Sequence, residues 1–164
     1  MKYKLKILLL GLLLVRGFNF SSFAQFSSSE IKNLTNGADI ILTGKVTEQA
    51  SSWNENKTRI YTKATIQVNE YIKGNNTGGT VTVNYPGGEI GEIGEMYSHM
   101  PRFEDNEEVL VFLKKSGNNT DYKVLNGEEG KITLLNNETT GEKTTNSYIP
   151  LNSLIQQIIN HLNE

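Results

Sequence analysis

Apolar and polar side chains alternate along two long segments of the chain. In the first, Ile40, Leu42 and Val46 share one face, and in the second, residues 59–71, apolar positions again alternate with polar ones. This alternation is typical of β-strands with one buried face. The polar residues 51–57 separate the two segments. The pattern therefore predicts a long β-hairpin with its loop at 51–57.

Four shorter segments predict further strands. Residues 80–85 alternate in the same way, and residues 122–125 and 131–135 are short apolar-rich runs bounded by turn residues. Residues 108–114 differ, because the run 109–113 is apolar on both faces. A strand with two apolar faces is buried on both sides, so we expect this strand to be the central one.

Two helices are predicted, one on each side of the strand-rich region. Ser27 and Glu30 have the spacing of a capping box, which predicts a short helix through Asn36, and Gly37 is placed to end it in the left-handed conformation. Near the C-terminus, apolar residues recur at the spacing of one helical stripe. The stripe consists of Leu151, Leu154, Ile155, Ile158, Ile159 and Leu162.

These elements predict a mainly β fold. We expect a small, closed, antiparallel, OB-like barrel of five or six strands, with a short N-terminal helix and an amphipathic C-terminal helix docked on it. Closure is favoured because this many strands in a small chain would otherwise leave unprotected edges. The alternative, an immunoglobulin-like sandwich, would need about seven strands of similar length.

The first 24 residues have the features of a signal peptide. Three lysines precede the apolar run 7–15, and Ser22 and Ala24 place small residues before a cleavage site at Gln25. The run of nine residues is shorter than the roughly 20 that a transmembrane helix needs, so no membrane span is predicted. We expect residues 25–164 to form one domain in a secreted or periplasmic protein.

Composition excludes several classes of function. Removal of the signal peptide takes away four basic residues and no acidic one, which changes the formal net charge from −2 to −6. Such an acidic chain is a poor match for nucleic acid, which is bound through clustered lysine and arginine. The chain has no cysteine, so disulfides, thiol catalysis and thiolate metal sites are excluded. His99 and His161 match no metal-binding spacing, and no cofactor is predicted.

Four segments resemble the netrin-like domain, whose best-known version is the OB-fold barrel of the tissue inhibitors of metalloproteinases. Residues 38–41 (Ala-Asp-Ile-Ile) open a strand, and residues 71–74 (Tyr-Ile-Lys-Gly) close the second long one. Residues 107–112 (Glu-Glu-Val-Leu-Val-Phe) are similar to the family's central strand, and residues 149–154 (Ile-Pro-Leu-Asn-Ser-Leu) to the start of its C-terminal helix. The resemblance, which spans residues 29–162, implies an OB barrel and an extracellular peptidase as one class of partner.

The chain departs from this family at its N-terminus. In the tissue inhibitors, the free amine and carbonyl of an N-terminal cysteine bind the catalytic zinc of the protease. Here the mature chain would begin at Gln25, which can cyclise to pyroglutamate and lose its amine. A different surface of the barrel would therefore have to make the contact.

The most unusual segment is acidic. Residues 84–108 contain seven acidic residues and one arginine, so they carry the entire net charge of the mature chain. Within it, residues 88–96 repeat Gly-Glu-apolar three times. A period of three fits neither the alternation of a strand nor, with its regular glycines, a helix. We therefore expect a long structured loop at 86–106, a length at which loops are often functional.

Three interpretations of this loop remain open. In the first, it is a solvated loop that covers one mouth of the barrel, with Ile90, Ile93 and Phe103 in the core. In the second, it is a surface that recognises a protein. In the third, it is a Ca²⁺ site, although the Asp-x-Asp-x-Asp-Gly ligand spacing is absent.

Our leading hypothesis is an exported, non-enzymatic module that binds a protein partner through loop 86–106 and the neighbouring hairpin 51–57. The alternatives are a secreted hydrolase that uses Glu104, Asp105 or Glu108 as its carboxylates, and a Ca²⁺-stabilised surface protein. The candidate partner-binding residues are Trp53, Glu89, Glu92, Glu95, Tyr97, Met100, Phe103 and Glu104.

Overall fold

A computed structural model describes residues 27–75, 78–117 and 121–164. The predicted signal peptide, residues 1–24, lies outside the described residues. The described part of the chain forms two α-helices, nine strands and one 3₁₀ turn. In chain order they are α1 Ser28–Gly37, β1 Ile40–Trp53, β2 Ile60–Lys73, β3 Thr80–Pro86, β4 Gly88–Ile90, β5 Ile93–Glu95, β6 Glu108–Lys115, β7 Tyr122–Val124, the 3₁₀ turn Gly127–Gly130, β8 Lys131–Asn136, β9 Lys143–Thr145 and α2 Leu151–Leu162.

Five of these strands close into a barrel, in the order β1–β2–β3–β7–β6 and back to β1. The prediction of a mainly β, OB-like barrel with two helices is confirmed. The expected all-antiparallel pairing is wrong at one junction, because β3 and β7 run parallel where Val83 pairs with Tyr122. A ring with an odd number of strands cannot alternate in direction throughout, so one neighbouring pair has to be parallel.

Strand β1 closes the ring because it pairs with two neighbours. It runs antiparallel to β2 from Ile41 to Trp53 and antiparallel to β6 from Ile40 to Lys45. Its register with β2 shifts at Gly44, where a β-carbon would lie only 2.5 Å from the carbonyl oxygen of Gln67. A side chain at this position would therefore collide with strand β2. The β1–β2 hairpin extends further than expected, since β1 continues through Trp53 into the predicted loop.

Strand β6 separates two hydrophobic cores. Val109, Val111 and Leu113 point into the barrel, whereas Leu110 and Phe112 point outward beneath the helices. All five are fully buried, which confirms the prediction that this strand is apolar on both faces because both are covered. The second core is completed by residues of both helices, of β1 and β8 and of the α1–β1 junction, mainly Ile31, Leu34, Ala38, Ile41, Ile132, Leu134, Leu154 and Ile158.

Helix α1 is fixed at both ends by polar contacts. The capping box is present, because Glu30 N donates to Ser27 Oγ at 3.2 Å and Ser27 N donates to Glu30 Oε2 at 2.7 Å. At the other end, the Lys73 ammonium donates to Thr35 O at 2.7 Å and the Lys114 ammonium donates to Gly37 O at 3.1 Å. Two lysines of the barrel thus satisfy carbonyls that have no partner within the helix.

Gly37 has a different role from the one predicted. The helix includes Gly37, which does not adopt the left-handed conformation, and the extended residue Ala38 follows it. A β-carbon at Gly37 would lie 2.9 Å from the Leu125 side chain. Close packing therefore explains the glycine. No helix in the described ranges is long and apolar enough to cross a membrane.

Candidate functional site

Residues 86–106, which we call the acidic flap, leave the barrel after β3 and return to it before β6. The expectation of a structured loop without strands is wrong for residues 88–95, because β4 and β5 form an antiparallel hairpin. Its two turn residues are Gly91 and Glu92, and Gly91 has a φ of +62°. A left-handed first turn residue is the pattern of a two-residue hairpin turn. Each of these strands has only three residues. Over so short a length, a three-residue sequence repeat does not conflict with the two-residue alternation of a strand.

A pair of glycines lets the hairpin lie directly on strand β2. Gly87 N donates to Ile60 O at 2.8 Å, and Thr62 Oγ1 donates to Gly87 O at 2.7 Å. Gly88 has a φ of +129°, and a β-carbon there would lie 2.2 Å from Thr62 Oγ1 and 2.5 Å from Ser51 Oγ. Only glycine combines this backbone conformation with so close an approach.

Glu95 and Tyr97 clamp the far strand of the hairpin to the barrel. Glu95 Oε2 accepts hydrogen bonds from Ile60 N and from the Tyr97 hydroxyl, both at 3.0 Å. Arg59 Nη1 in turn donates to the Tyr97 hydroxyl at 3.0 Å, and its guanidinium lies 5.7 Å from the centre of the Tyr97 ring. These two predicted site residues therefore hold the flap in place.

The base of the acidic flap is anchored in the barrel. Phe103 is only 5% exposed, and its ring centre lies 5.6 Å from that of Tyr85. Beside it, Glu107 Oε1 lies 2.6 Å from Lys131 Nζ and accepts from Thr133 Oγ1, also at 2.6 Å. Phe103 is thus buried, as one of the three interpretations expected.

Beneath the acidic flap lies a cleft of about 570 Å³, bounded on the other side by strands β1, β2 and β3. Its apolar walls are aromatic and methionine side chains, and its polar positions include hydroxyls, an amide and four charged side chains. Of the predicted site residues, those that line the cleft are Glu89, Glu95, Tyr97, Met100 and Phe103. Sequence analysis missed the barrel side of the cleft, where Gln49, Ser51, Thr62 and Tyr85 lie.

A hydrogen-bonded chain crosses this cleft. The Tyr85 hydroxyl donates to Gln49 Oε1 at 3.0 Å, and Gln49 Nε2 donates to Asp105 Oδ1 at 3.1 Å. The Tyr85 phenol is protonated at neutral pH, as an ordinary tyrosine is, and burial raises its pKa further. The chain therefore fixes one oxygen of Asp105, and within the described ranges Oδ2 has no hydrogen-bond partner.

Four of the seven acidic residues of the 84–108 segment have a partner within the fold. Glu107 pairs with Lys131, and Glu108 pairs with Lys143 of strand β9. Glu95 and Asp105 accept the hydrogen bonds described above. Across the described ranges, the acids of this segment whose carboxylates are exposed and without a partner are Glu89, Glu92 and Glu104. Of the seven acidic residues counted in the sequence of this segment, three therefore have a carboxylate without a partner in the described part of the chain.

Large apolar side chains are exposed next to these free carboxylates. Ile93, which one interpretation placed in the core, is 54% exposed, and Met96 is 73% exposed. Met100 is also exposed. Trp53 is half-buried at the end of β1, opposite Ile60, and does not border the cleft. We call these exposed apolar side chains the outer face of the acidic flap; two of them, Met96 and Met100, also border the cleft.

The three carboxylates considered for hydrolysis do not all line the cleft. Of the three carboxylates considered for hydrolysis, Glu108 is paired with Lys143, Glu104 is exposed outside the cleft, and only Asp105 lines it. The described part of the chain contains no group of three or more acidic or histidine side chains that could hold a metal ion. His99 lies 3.3 Å from Glu128 on the surface.

Comparison with models of known protein families finds no match for this sequence, and a search of curated proteins finds none either. What the protein does is therefore inferred from the geometry of the acidic flap and of the cleft beneath it.

Proposed function

We propose that the protein is an exported, non-catalytic module that binds a protein partner through the acidic flap. The observation that carries this proposal is the exposure of Ile93 and Met96 on a clamped projection, beside the free carboxylates of Glu89 and Glu92. Interfaces place apolar anchors at their centre and charged groups at the rim, where the charges steer the encounter. The surface fits a partner with an apolar patch surrounded by basic residues.

The way in which the acidic flap is held also supports binding. Glu95, Tyr97 and Thr62 fix it at several points, and Phe103 anchors its base. Association costs less free energy when the contacting segment is already ordered. The exposed side chains thus belong to a segment that is already ordered before a partner binds, so little free energy is lost in ordering it.

The resemblance to netrin-like domains extends the proposal to the class of partner. A closed OB-like barrel with two helices on one wall agrees with that resemblance, and we propose an extracellular peptidase as the partner. Contact would be made by the acidic flap and would not need the amine of Gln25. The signal peptide proposed for residues 1–24 would deliver the protein to that compartment.

Matched surface variants test the proposal. Ile93→Ser combined with Met96→Ser removes the exposed apolar side chains of the flap, and Leu135→Ser removes one of similar exposure, 44%, on strand β8. Each purified protein is immobilised and exposed to the host's secreted proteins, which are then quantified by mass spectrometry. We expect at least one peptidase to be retained by the wild type and by Leu135→Ser, and to be lost at least fivefold with the double variant. Equal retention by all three proteins would contradict the proposal.

A further inference from the structure

We propose that the cleft beneath the acidic flap receives an arginine or lysine side chain from an extended segment of the partner. This inference rests on the proposed function, because it names the chemistry by which the same site recognises its partner. The volume of about 570 Å³ lies within the range of roughly 300–1,000 Å³ that is usual for ligand pockets. A long side chain with an apolar stem and a charged end would fill such a space.

The walls of the cleft suit the stem and the charge together. Tyr85, Tyr97 and Phe103 present aromatic rings, and Met96 and Met100 present flexible thioethers. Aromatic faces attract cations through their quadrupole, and methionine adapts to irregular apolar shapes. A guanidinium stacks on such a ring while its methylene groups contact the methionines.

Two of these rings already bind cations of the protein itself. Lys131 Nζ lies 5.2 Å from the centre of the Phe103 ring, and the Arg59 guanidinium lies 5.7 Å from the centre of the Tyr97 ring. Both distances are within the range of about 6 Å over which the cation–π attraction acts. These two rings thus already contact cations of the protein itself, and an incoming cation would use only the part of each ring that borders the cleft.

Charge selects a cation over an anion or a neutral group. The cleft is lined by three carboxylates, Glu89, Glu95 and Asp105, and by one guanidinium, Arg102. Asp105 is oriented by the chain from Tyr85 through Gln49 and keeps Oδ2 free. A guanidinium would donate to that oxygen in a charge-assisted hydrogen bond. Arg102, a cation on the same wall, would repel the incoming side chain.

This assignment makes opposite predictions for two neighbouring residues. Asp105→Asn retains the shape of the side chain and an oxygen that can accept from Gln49, but it removes the negative charge. Arg102→Ala removes the repelling guanidinium and leaves the backbone carbonyl that accepts from Lys131. Glu138→Gln removes one exposed carboxylate in the loop between β8 and β9 and serves as the matched control.

The experiment is an NMR titration of the ¹⁵N-labelled protein with a blocked pentapeptide, Gly-Ala-Arg-Ala-Gly, and with the same peptide containing citrulline. Citrulline keeps the size and most hydrogen bonds of arginine but has no charge. We expect the arginine peptide to shift amide signals at Gln49, Gly88 and Tyr97, and to bind at least tenfold more tightly than the citrulline peptide at low salt. Asp105→Asn should weaken binding at least fivefold, Arg102→Ala should strengthen it at least twofold, and Glu138→Gln should leave it unchanged.

Equal binding of the two peptides, or shifts that map outside the cleft, would overturn the assignment of a cation site. Its failure can be separated from failure of the proposed function. If the Ile93→Ser/Met96→Ser variant still loses its protein partner while the arginine peptide does not enter the cleft, the binding surface stands and the cation site is wrong. If the double variant retains every partner, the proposed function is wrong whatever the peptides do.

Discussion

Two regions lie against the outside of the barrel, the helical layer of α1 and α2 and the acidic flap, and they are attached in opposite ways. The helical layer directs its apolar side chains inward, so that Ile31, Leu154 and Ile158 are almost fully buried on the barrel wall. The acidic flap is seated largely by polar contacts and leaves Ile93 and Met96 in solvent. The first region uses its apolar surface for folding, and the second keeps part of it available for another molecule.

This difference has energetic consequences. Burial of a large apolar side chain contributes about 1.5–3 kcal/mol, whereas an intramolecular hydrogen bond contributes a net of about 0.5–1.5 kcal/mol. Changes in the helical layer should therefore lower the stability of the whole domain. Changes in the clamps of the acidic flap should mainly loosen the flap, because the barrel core does not depend on them.

The largest effect is expected in the core beneath the helices. Phe112 is fully buried between β6 and the helical layer, so Phe112→Ala should lower the free energy of unfolding by about 3–5 kcal/mol. Urea denaturation measures the change. Leu135→Ala, at an exposed position of β8, is the control and should cost less than about 1 kcal/mol. Similar losses for both variants would contradict the two-core arrangement.

The next effect concerns the seat of the acidic flap. Gly88→Ala would place a β-carbon 2.2 Å from Thr62 Oγ1 at a φ of +129°, so it should displace the hairpin and cost about 1–3 kcal/mol. Gly91→Ala is the control, because its φ is also positive but nothing lies within 4 Å of the new carbon. Hydrogen exchange of the 87–95 amides should accelerate more in Gly88→Ala. Equal acceleration in the two variants would show that the close approach is unimportant.

A smaller and more local effect is expected at the clamp. Glu95→Ala removes the acceptor of the Ile60 amide and of the Tyr97 hydroxyl, and so should cost about 1–2 kcal/mol of local stability. The amide of Ile60 should exchange faster with solvent while the melting temperature changes little. Glu92→Ala, in the turn of the hairpin, should leave that amide protected. Unchanged exchange in Glu95→Ala would mean that the clamp does not hold the acidic flap.

The smallest effect is a pH dependence in the helical layer. A hydrogen bond from Lys115 N, followed by one from the Lys114 ammonium, lowers the pKa of Asp39. Because the pKa is lower in the folded state, the stabilisation is present above the unfolded pKa of about 3.9 and is lost as the pH falls through the folded value. Asp39→Asn should therefore reduce the free energy of unfolding at pH 7 by less than about 1 kcal/mol. The variant should also lose less of that free energy than the wild type as the pH falls below 4, which denaturation at a series of pH values measures. A decline as steep as in the wild type would contradict this assignment.

The barrel could be predicted from sequence because its long strands each have a face inside it. The alternation at Ile40, Leu42 and Val46 identifies the residues that point into the barrel. The apolar run 109–113 indicates a strand buried on both faces, one in each core. The β4–β5 hairpin could not be predicted, because three-residue strands have no measurable period. Its register depends on contacts between residues about 25 to 35 positions apart, from Gly87 to Thr62 and from Glu95 to Ile60.

The candidate site was predictable in position but only partly in detail. The charge and aromatic content of residues 84–108 singled out the segment that forms one wall of the cleft. Which acids are free depends on pairing across β6, β8 and β9, where Lys131 and Lys143 meet Glu107 and Glu108. No local pattern reports these pairs, and none could place Gln49 beside Asp105.

The central claim is that the outer face of the acidic flap touches the partner. The most direct test places the photoreactive residue benzoylphenylalanine at position 96 or, as a control, at position 148, since Met96 and Tyr148 are 73% and 67% exposed. Irradiation in the presence of the host's secreted proteins should cross-link a partner from position 96 and give no such product from position 148. Equal cross-linking from both positions, or from position 148 alone, would contradict the claim.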